Sequence, residues 1–383
     1  MDPKLNTRLA AMKAAPDGDL ISMANKMEGV IKLQGGDPDF DTPQNIKDAL
    51  SEAMNSGKTH YPPTHGVPEL RNAIAEYYQS KGVAQEPSNV IVTSGSGMAL
   101  NAGMSSVLNP GDEVILPEPY YMAYANLLDY FKVKRVSVPL VEEDGFRLDT
   151  VALEQAVTPK TKMILICNPN NPTGTVYNQG ELEAIRDVSI ANDLLVFSDD
   201  VYLEFAWNGN KSKCIASLPG MAERTIITNS FSKTFAMTGW RLGFIVAPPS
   251  ISSAVKRLPI GYRTNTFVQH AGVEALTNSW SAVDAMMKEF DSRRKFFVKR
   301  INEIEGVSCV MPEGSFYTFP RIETKEGTTR PFCGKLLRNE KILIRPGDSF
   351  GDPTESNVRI PLIRPVDVLE RVAEGIERQL KKG

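Results

Sequence analysis

The chain contains no run of about 20 apolar residues, so no stretch reads as a membrane span. Residues Met1 to Ala15 alternate charge with small apolar side chains and lack the unbroken apolar core of a signal peptide. Cysteine is scarce: Cys167, Cys214, Cys309 and Cys333 lie far apart, form no CxxC pair, and have only three histidines for company. This spacing argues against a disulfide framework or a zinc site and for reduced thiols. An excess of one charge is missing too. The 43 basic and 46 acidic side chains are intermixed and leave a net charge of −3, so nothing marks a nucleic-acid or membrane partner. A cytoplasmic location is the remaining expectation.

A chain of 383 residues, 42% apolar and 23% charged, exceeds what one compact core usually supports, and two domains are expected. From about residue 90 short apolar runs alternate with helical stretches, the pattern of an α/β fold with a mainly parallel sheet between helices. The candidate strands are Val90–Val92, Glu113–Leu116, Met163–Ile166, Leu194–Phe197, Thr225–Thr228 and Phe244–Val246. After Thr266 the texture changes to charged helices, Ala271–Asn278 and Val283–Ile304, then a mixed segment to the C-terminus. The reading is a large domain over residues 41–270 and a smaller α+β domain built from residues 1–40 and 271–383.

In open parallel sheets ligands gather beyond the carboxyl ends of the strands, and that is where the polar residues cluster here. The string Ser230-Phe231-Ser232-Lys233-Thr234-Phe235-Ala236-Met237-Thr238-Gly239-Trp240-Arg241 places a lysine amine among hydroxyls, with a guanidinium after it. A lysine whose pKa is lowered by burial or a cationic neighbour forms imines with carbonyls and can then move protons. Hydroxyls and a guanidinium suit a phosphate dianion. Ser198-Asp199-Asp200-Val201-Tyr202 ends another strand with carboxylates and a phenol. On residue type alone the Asp pair could cap a helix. Thr93-Ser94-Gly95-Ser96-Gly97-Met98-Ala99-Leu100 leaves free backbone N–H groups at a helix start, a seat for phosphate. It is not a dinucleotide fingerprint, because Leu100 stands where a third glycine would be needed. Asn168-Pro169-Asn170-Asn171-Pro172-Thr173-Gly174 reads by itself only as a turn-rich loop.

Taken together, these strings resemble the class I aminotransferases, members of the fold-type I pyridoxal phosphate enzymes, with the motifs in the family's order over most of the chain. The resemblance implies that Lys233 holds pyridoxal 5'-phosphate as an internal aldimine and shuttles the substrate's α-proton. It implies that Asp199 keeps the pyridine nitrogen protonated, that Tyr202 and Asn171 reach the cofactor's 3-oxygen, and that Asn171 also meets the substrate carboxylate. Ser96, Gly97, Ser230, Ser232 and Arg241 are the implied phosphate seat. Tyr121, in Pro117-Glu118-Pro119-Tyr120-Tyr121, takes the stacking position on the pyridine ring. Tyr61, in Tyr61-Pro62-Pro63-Thr64-His65-Gly66, resembles the tyrosine that reaches the phosphate of a neighbouring subunit, which implies a homodimer with shared sites. His60 and His65 receive no role, and neither does Asp200. Gly36, in Gly36-Asp37-Pro38-Asp39-Phe40, is placed near the substrate. Arg359, in Asn357-Val358-Arg359-Ile360, is the implied α-carboxylate clamp, although Pro361-Leu362 depart from the family's usual residues; Arg345 and Arg364 are the alternatives.

The implied reaction moves an amino group from an aspartate, alanine or aromatic donor to an oxo acid such as 2-oxoglutarate or pyruvate. No second cation for a dicarboxylate stands at a matched position: Gly97 and Met98 fill the turn where some relatives carry lysine, and Arg263 has no settled place in the pattern. Breaking the Cα–H bond is common to several reactions on this scaffold, so a β-eliminating C–S lyase or a cyclase is the alternative. A regulatory binding protein is a remote one. It would need an attached DNA-binding module, and only about 40 residues precede the catalytic-type body, with no basic stripe.

Overall fold

The computed structural model describes residues 17–207, 212–258 and 264–382, with Asn6, Arg8, Leu9, Met12 and Gly209. Arg263 lies outside the described residues, as does most of the segment Met1 to Ala15. The first strand, β1 (Ile31–Lys32), precedes the main sheet in the chain. The main sheet is built from β2 (Val90–Thr93), β3 (Glu113–Glu118), β4 (Lys134–Val141), β5 (Arg147–Leu148), β6 (Thr161–Cys167), β7 (Leu195–Asp199), β8 (Thr225–Ser230) and β9 (Gly243–Val246). Their spatial order is β2-β9-β8-β7-β6-β3-β4-β5. Neighbours β8, β7, β6, β3 and β4 run parallel.

The central strands read as unbroken apolar runs because both faces are covered. Successive residues feed opposite sides. Val114, Leu116, Met163, Leu165, Phe197 and Ile226 join one buried cluster with the helices Ser96–Ser105 and Met122–Phe131. Ile115, Ile164, Ile166 and Val196 pack on the other face against the helix Gln179–Ala191. Further along that face Val92, Ile227 and Phe244 meet the helices Pro68–Ser80 and Thr266–Asn278. The period of two in the strands thus builds a three-layer body.

Two features of the sheet differ from the sequence reading. β9 runs antiparallel to both β2 and β8. The link from β8 holds only a four-residue α-helix, Phe231–Thr234, and a 3-10 turn, Thr238–Trp240, so the chain doubles back instead of making a helical crossover. β4 and β5 are additional strands at the sheet edge, where Lys134, Arg135 and Ser137 interrupt the apolar signal. The later helices begin earlier than expected, at Thr266 and Trp280, and the second ends at Ile301.

Beyond the long helix Trp280–Ile301 come β10 (Val307–Ser308), β11 (Tyr317–Thr318), β12 (Arg321–Ile322), β13 (Ile342–Leu343), β14 (Arg345–Pro346) and β15 (Val358–Pro361). The three strands β11-β15-β14 form an antiparallel sheet. The N-terminal β1 pairs in parallel with β13, tying residues before the main sheet to this C-terminal unit. The helices Thr329–Glu340 and Val366–Lys382 bury Leu336, Leu369, Val372 and Ile376 against it.

Candidate active site

The carboxyl ends of the same-direction strands open onto one cavity of about 590 Å³. Ser96 and Gly97 follow β2, Tyr121 follows β3, Asn171 follows β6, Asp199 and Tyr202 close β7, and Ser232 and Lys233 follow β8; all of them line it. Arg241 reaches the same edge because β9 is reversed: its start, two residues after Arg241, and not its end lies at this end of the sheet. Gly36, Arg359 and Arg345 enter from the C-terminal unit and the segment paired with it.

The phosphate-type seat is tightly built. Gly95 precedes the helix Ser96–Ser105 with φ +83°, a conformation that favours glycine. A Cβ there would run into the Arg241 guanidinium. A Cβ on Gly243 would approach the Ser96 backbone nitrogen to 2.8 Å, so β9 can press against this turn only through glycine. The result is a helix N-terminus, whose first N–H groups have no intrahelical acceptor, held beside a guanidinium in a cavity that Ser232 also lines.

Asp199 is buried, and burial pushes its carboxyl up to about 6. The Tyr124 hydroxyl donates to its Oδ2 at 2.7 Å and the Val201 N–H to its Oδ1 at 3.4 Å, both favouring the charged form. Tyr124 also holds Tyr121 edge-on, with ring centroids 5.5 Å apart at 89°. Lys233 donates from Nζ to the Gly36 carbonyl. Burial pulls its amine down to about 8; Asp37 opposes this, and the Arg359 and Arg241 charges add to it. Gly36 must itself be glycine, because a side chain would collide with the Tyr317 hydroxyl. Tyr317 and Tyr202 share a hydrogen bond at 2.9 Å.

Arg359 is only 3% exposed, its guanidinium carbon 4.3 Å from the Tyr317 ring centroid and 5.0 Å from that of Phe350. It donates to Asn171 Oδ1 at 2.9 Å and to the Gln34 carbonyl at 2.7 Å, and its buried Nε has no partner. A pinned guanidinium with an unsatisfied donor suits a carboxylate. Of the alternatives, Arg345 also lines the cavity, whereas Arg364 donates to the neighbouring Ile363 carbonyl and does not.

Two expected site residues do not line this cavity. Ser230 is the last residue of β8, buried, with an unpartnered hydroxyl, and it sits outside the lining. Tyr61 is 92% exposed and borders a separate hollow with His60, Thr264 and Phe267. His65 lies outside the cavity lining as well. Asp200 points away from the cavity, accepting from Ser198 at 2.5 Å and Tyr78 at 3.3 Å. Residues that the sequence reading passed over are Gln34, Met122, Tyr124, Thr238 and Tyr317. Tyr124 was within reach, one helical turn beyond Tyr121; Gln34 and Tyr317 carry no local signal.

All four cysteines are buried and unpaired, and among the described residues no His, Cys, Asp and Glu cluster could hold a metal ion. Among the same residues no helix is long and apolar enough to cross a membrane.

A large mainly parallel sheet with a cavity at its carboxyl edge, joined to a smaller unit, defines a fold-type I α/β transferase, and comparison with known proteins carries this further. The profile of the family "Aminotransferase class I and II" matches residues 28–376, and the chain belongs to that family. It is 40% identical to the aromatic-amino-acid aminotransferase 2 of Thermococcus litoralis, over 99% of this chain and 98% of that protein. It is 41% identical to the aspartate aminotransferase of Pyrococcus abyssi, with the same coverage of both chains. Among solved structures, the aromatic aminotransferase of Pyrococcus horikoshii OT3 superposes with a TM-score of 0.89 at 42% identity, over 95% of this chain and 99% of that one. The alanine aminotransferase of Pyrococcus furiosus does so with 0.94 at 32% identity, over 99% and 100%. The chain is therefore an enzyme of the transaminase type, dependent on pyridoxal phosphate.

Proposed function

We propose that this enzyme exchanges amino groups between aspartate, alanine or aromatic amino acids and 2-oxo acids such as 2-oxoglutarate or pyruvate, with Lys233 as its catalytic amine. The observation that carries the reading is the convergence on one cavity of Lys233, buried Asp199, the Gly95–Gly97 turn with Arg241, and Arg359. These residues fit pyridoxal phosphate. The Arg241 guanidinium packs against Gly95 at a helix N-terminus, two donor groups that suit a dianion. The buried Nε of Arg359, which lines the cavity, is a donor without an acceptor, which suits an anionic ligand.

Bound pyridoxal phosphate supplies a carbonyl for amine exchange and a ring that accepts electrons from the substrate's α-carbon. The chain's own residues do the rest. Lys233 Nζ, with its pKa near 8, is neutral in a useful fraction at physiological pH and takes the α-proton there. Asp199, oriented by Tyr124 and the Val201 N–H, presents a carboxylate that stabilises a positive charge brought next to it. Tyr121, held edge-on by Tyr124, offers a flat face, and Tyr202 a hydroxyl shared with Tyr317 in the cavity that Asn171 also lines. Arg359 and Asn171 grip the α-carboxylate, which fixes the α-hydrogen towards Lys233.

A homodimer belongs to the same proposal: Tyr61 is a large side chain held almost wholly in solvent, as expected of a residue donated to a neighbouring copy's site. The division into a domain over residues 41–270 and one over 1–40 with 271–383 is supported by the β1–β13 pairing. The location proposed is the cytoplasm. The aminotransferase names of the relatives do not favour the β-eliminating alternative.

The test is the absorbance spectrum of the holoenzyme, titrated with a panel of amino acids and then with 2-oxoglutarate. The expected outcome is a cofactor band that bleaches with some donors and returns with the oxo acid. Release of pyruvate from serine, cysteine or cystathionine without an acceptor would overturn it in favour of a lyase.

A further inference from the structure

The sequence offers no matched second cation for a dicarboxylic substrate, yet the cavity holds two guanidinium groups on one wall. Arg345 and Arg359 are register partners on the neighbouring antiparallel strands β14 and β15, and both line the cavity. Both donate to one oxygen, the Gln34 carbonyl: Arg345 Nε at 3.1 Å and Arg359 Nη2 at 2.7 Å. Two like charges held this close repel, and a fold that keeps them so must compensate with a buried anion or hold them for an arriving one.

The compensation present is partial. Asp17, 2% exposed and just before the helix Gly18–Ala24, lies 2.9 Å from Arg345 Nη2 as an ion pair, without the geometry of a good hydrogen bond. Asp17 does not line the cavity, so it steadies Arg345 from behind. Among the described residues Arg345 Nη1 donates to the Met122 sulfur, at 2.8 Å, a weak acceptor for a charged donor, and Met122 lines the cavity too. One nitrogen of this guanidinium is thus paired with Asp17, and another has a poor partner that lines the cavity. Arg359 differs, with Asn171 and two aromatic rings around it.

We propose that Arg345 is a specificity-determining residue that binds the second carboxylate of dicarboxylic amino and oxo acids while Arg359 holds the first. The inference rests on the transaminase reading and on Arg359 as the α-carboxylate clamp. A small dicarboxylate displaces the Met122 contact and satisfies Arg345 with a charge-assisted pair. A donor with an apolar side chain leaves Arg345 to Asp17 and packs on Met122 and Tyr121. The arrangement suits an enzyme that accepts aspartate and aromatic donors in one cavity.

The test compares holoenzyme variants by the ratio of kcat/KM for aspartate to that for phenylalanine, and by the ratio of dissociation constants for the unreactive acids succinate and 3-phenylpropionate. In Arg345→Met both ratios should move against the dicarboxylate by on the order of tenfold or more. Arg345→Lys, which keeps the charge and loses the fork, should fall between. Because Arg345→Met leaves Asp17 buried without its cation, the double variant Asp17→Asn/Arg345→Met is the control for folding. It should melt closer to the wild type and keep the altered ratios. A residue that only ties down the N-terminal helix would lower thermal stability and affect both donors alike. Unchanged ratios in either variant overturn the inference while leaving the transaminase reading intact. Loss of conversion by the wild type with every donor would overturn that reading instead.

Discussion

The cavity has two walls made in different ways. On the sheet side, Ser96, Gly97, Asn171, Asp199 and Lys233 each stand within a few residues of a strand end, so each is positioned by its own strand. On the opposite side Gln34, Gly36, Tyr317, Arg345 and Arg359 come from segments brought together only when β1 pairs with β13 and β15 is flanked by β11 and β14. The first wall sets its chemistry by burial, which raises Asp199 and lowers Lys233. The second sets it by charge compensation, with Asp17 and the Gln34 carbonyl holding arginines side by side. In the proposed function, cofactor chemistry thus falls to residues set by their own strands, and choice of substrate to residues set by long-range pairing.

The largest effect that would sharpen this division comes from Arg359→Leu. It should lower kcat/KM for every amino donor by on the order of 100-fold or more, since it removes a buried charged donor from the carboxylate. Cofactor affinity, measured by equilibrium titration, should stay close to that of the wild type. A matching loss of cofactor affinity would show that the two walls are not separate.

A smaller effect tests the burial argument on the sheet side. In the cofactor-free protein Asp199 binds its proton more tightly folded than unfolded, with its pKa raised from 3.8 to about 6. Its contribution to stability is thus fully present below the lower value and is lost as pH rises through the higher one. The contribution is on the order of 3 kcal/mol. Asp199→Asn, which cannot ionise, should gain stability relative to the wild type as pH increases from about 4 to about 6, followed by thermal melts. A difference that stays flat across that window would remove desolvation as the cause.

The same contrast explains how much of the molecule could be read in advance. The central strands were legible because burial on both faces leaves nothing but apolar residues, and the site turns because each follows its strand directly. β4 escaped notice because one of its faces is exposed and carries Arg135, Ser137 and Pro139, and the other begins with exposed Lys134. The reversal of β9 is a property of its short connection rather than of its residues. Arg345 ends the apolar run Ile342-Leu343-Ile344, which hints at a buried charge, but its partner Asp17 is more than three hundred residues away in the chain. Tyr317 and Gln34 become site residues only through pairing that no local pattern encodes.

The central claim is that Lys233 carries the cofactor, and the most direct measurement is reduction of the holoenzyme with borohydride followed by proteolysis and peptide mass spectrometry. The account predicts pyridoxyl mass on the peptide containing Lys233, together with loss of turnover in Lys233→Ala. Labelling of a different lysine, or full activity in that variant, would contradict it.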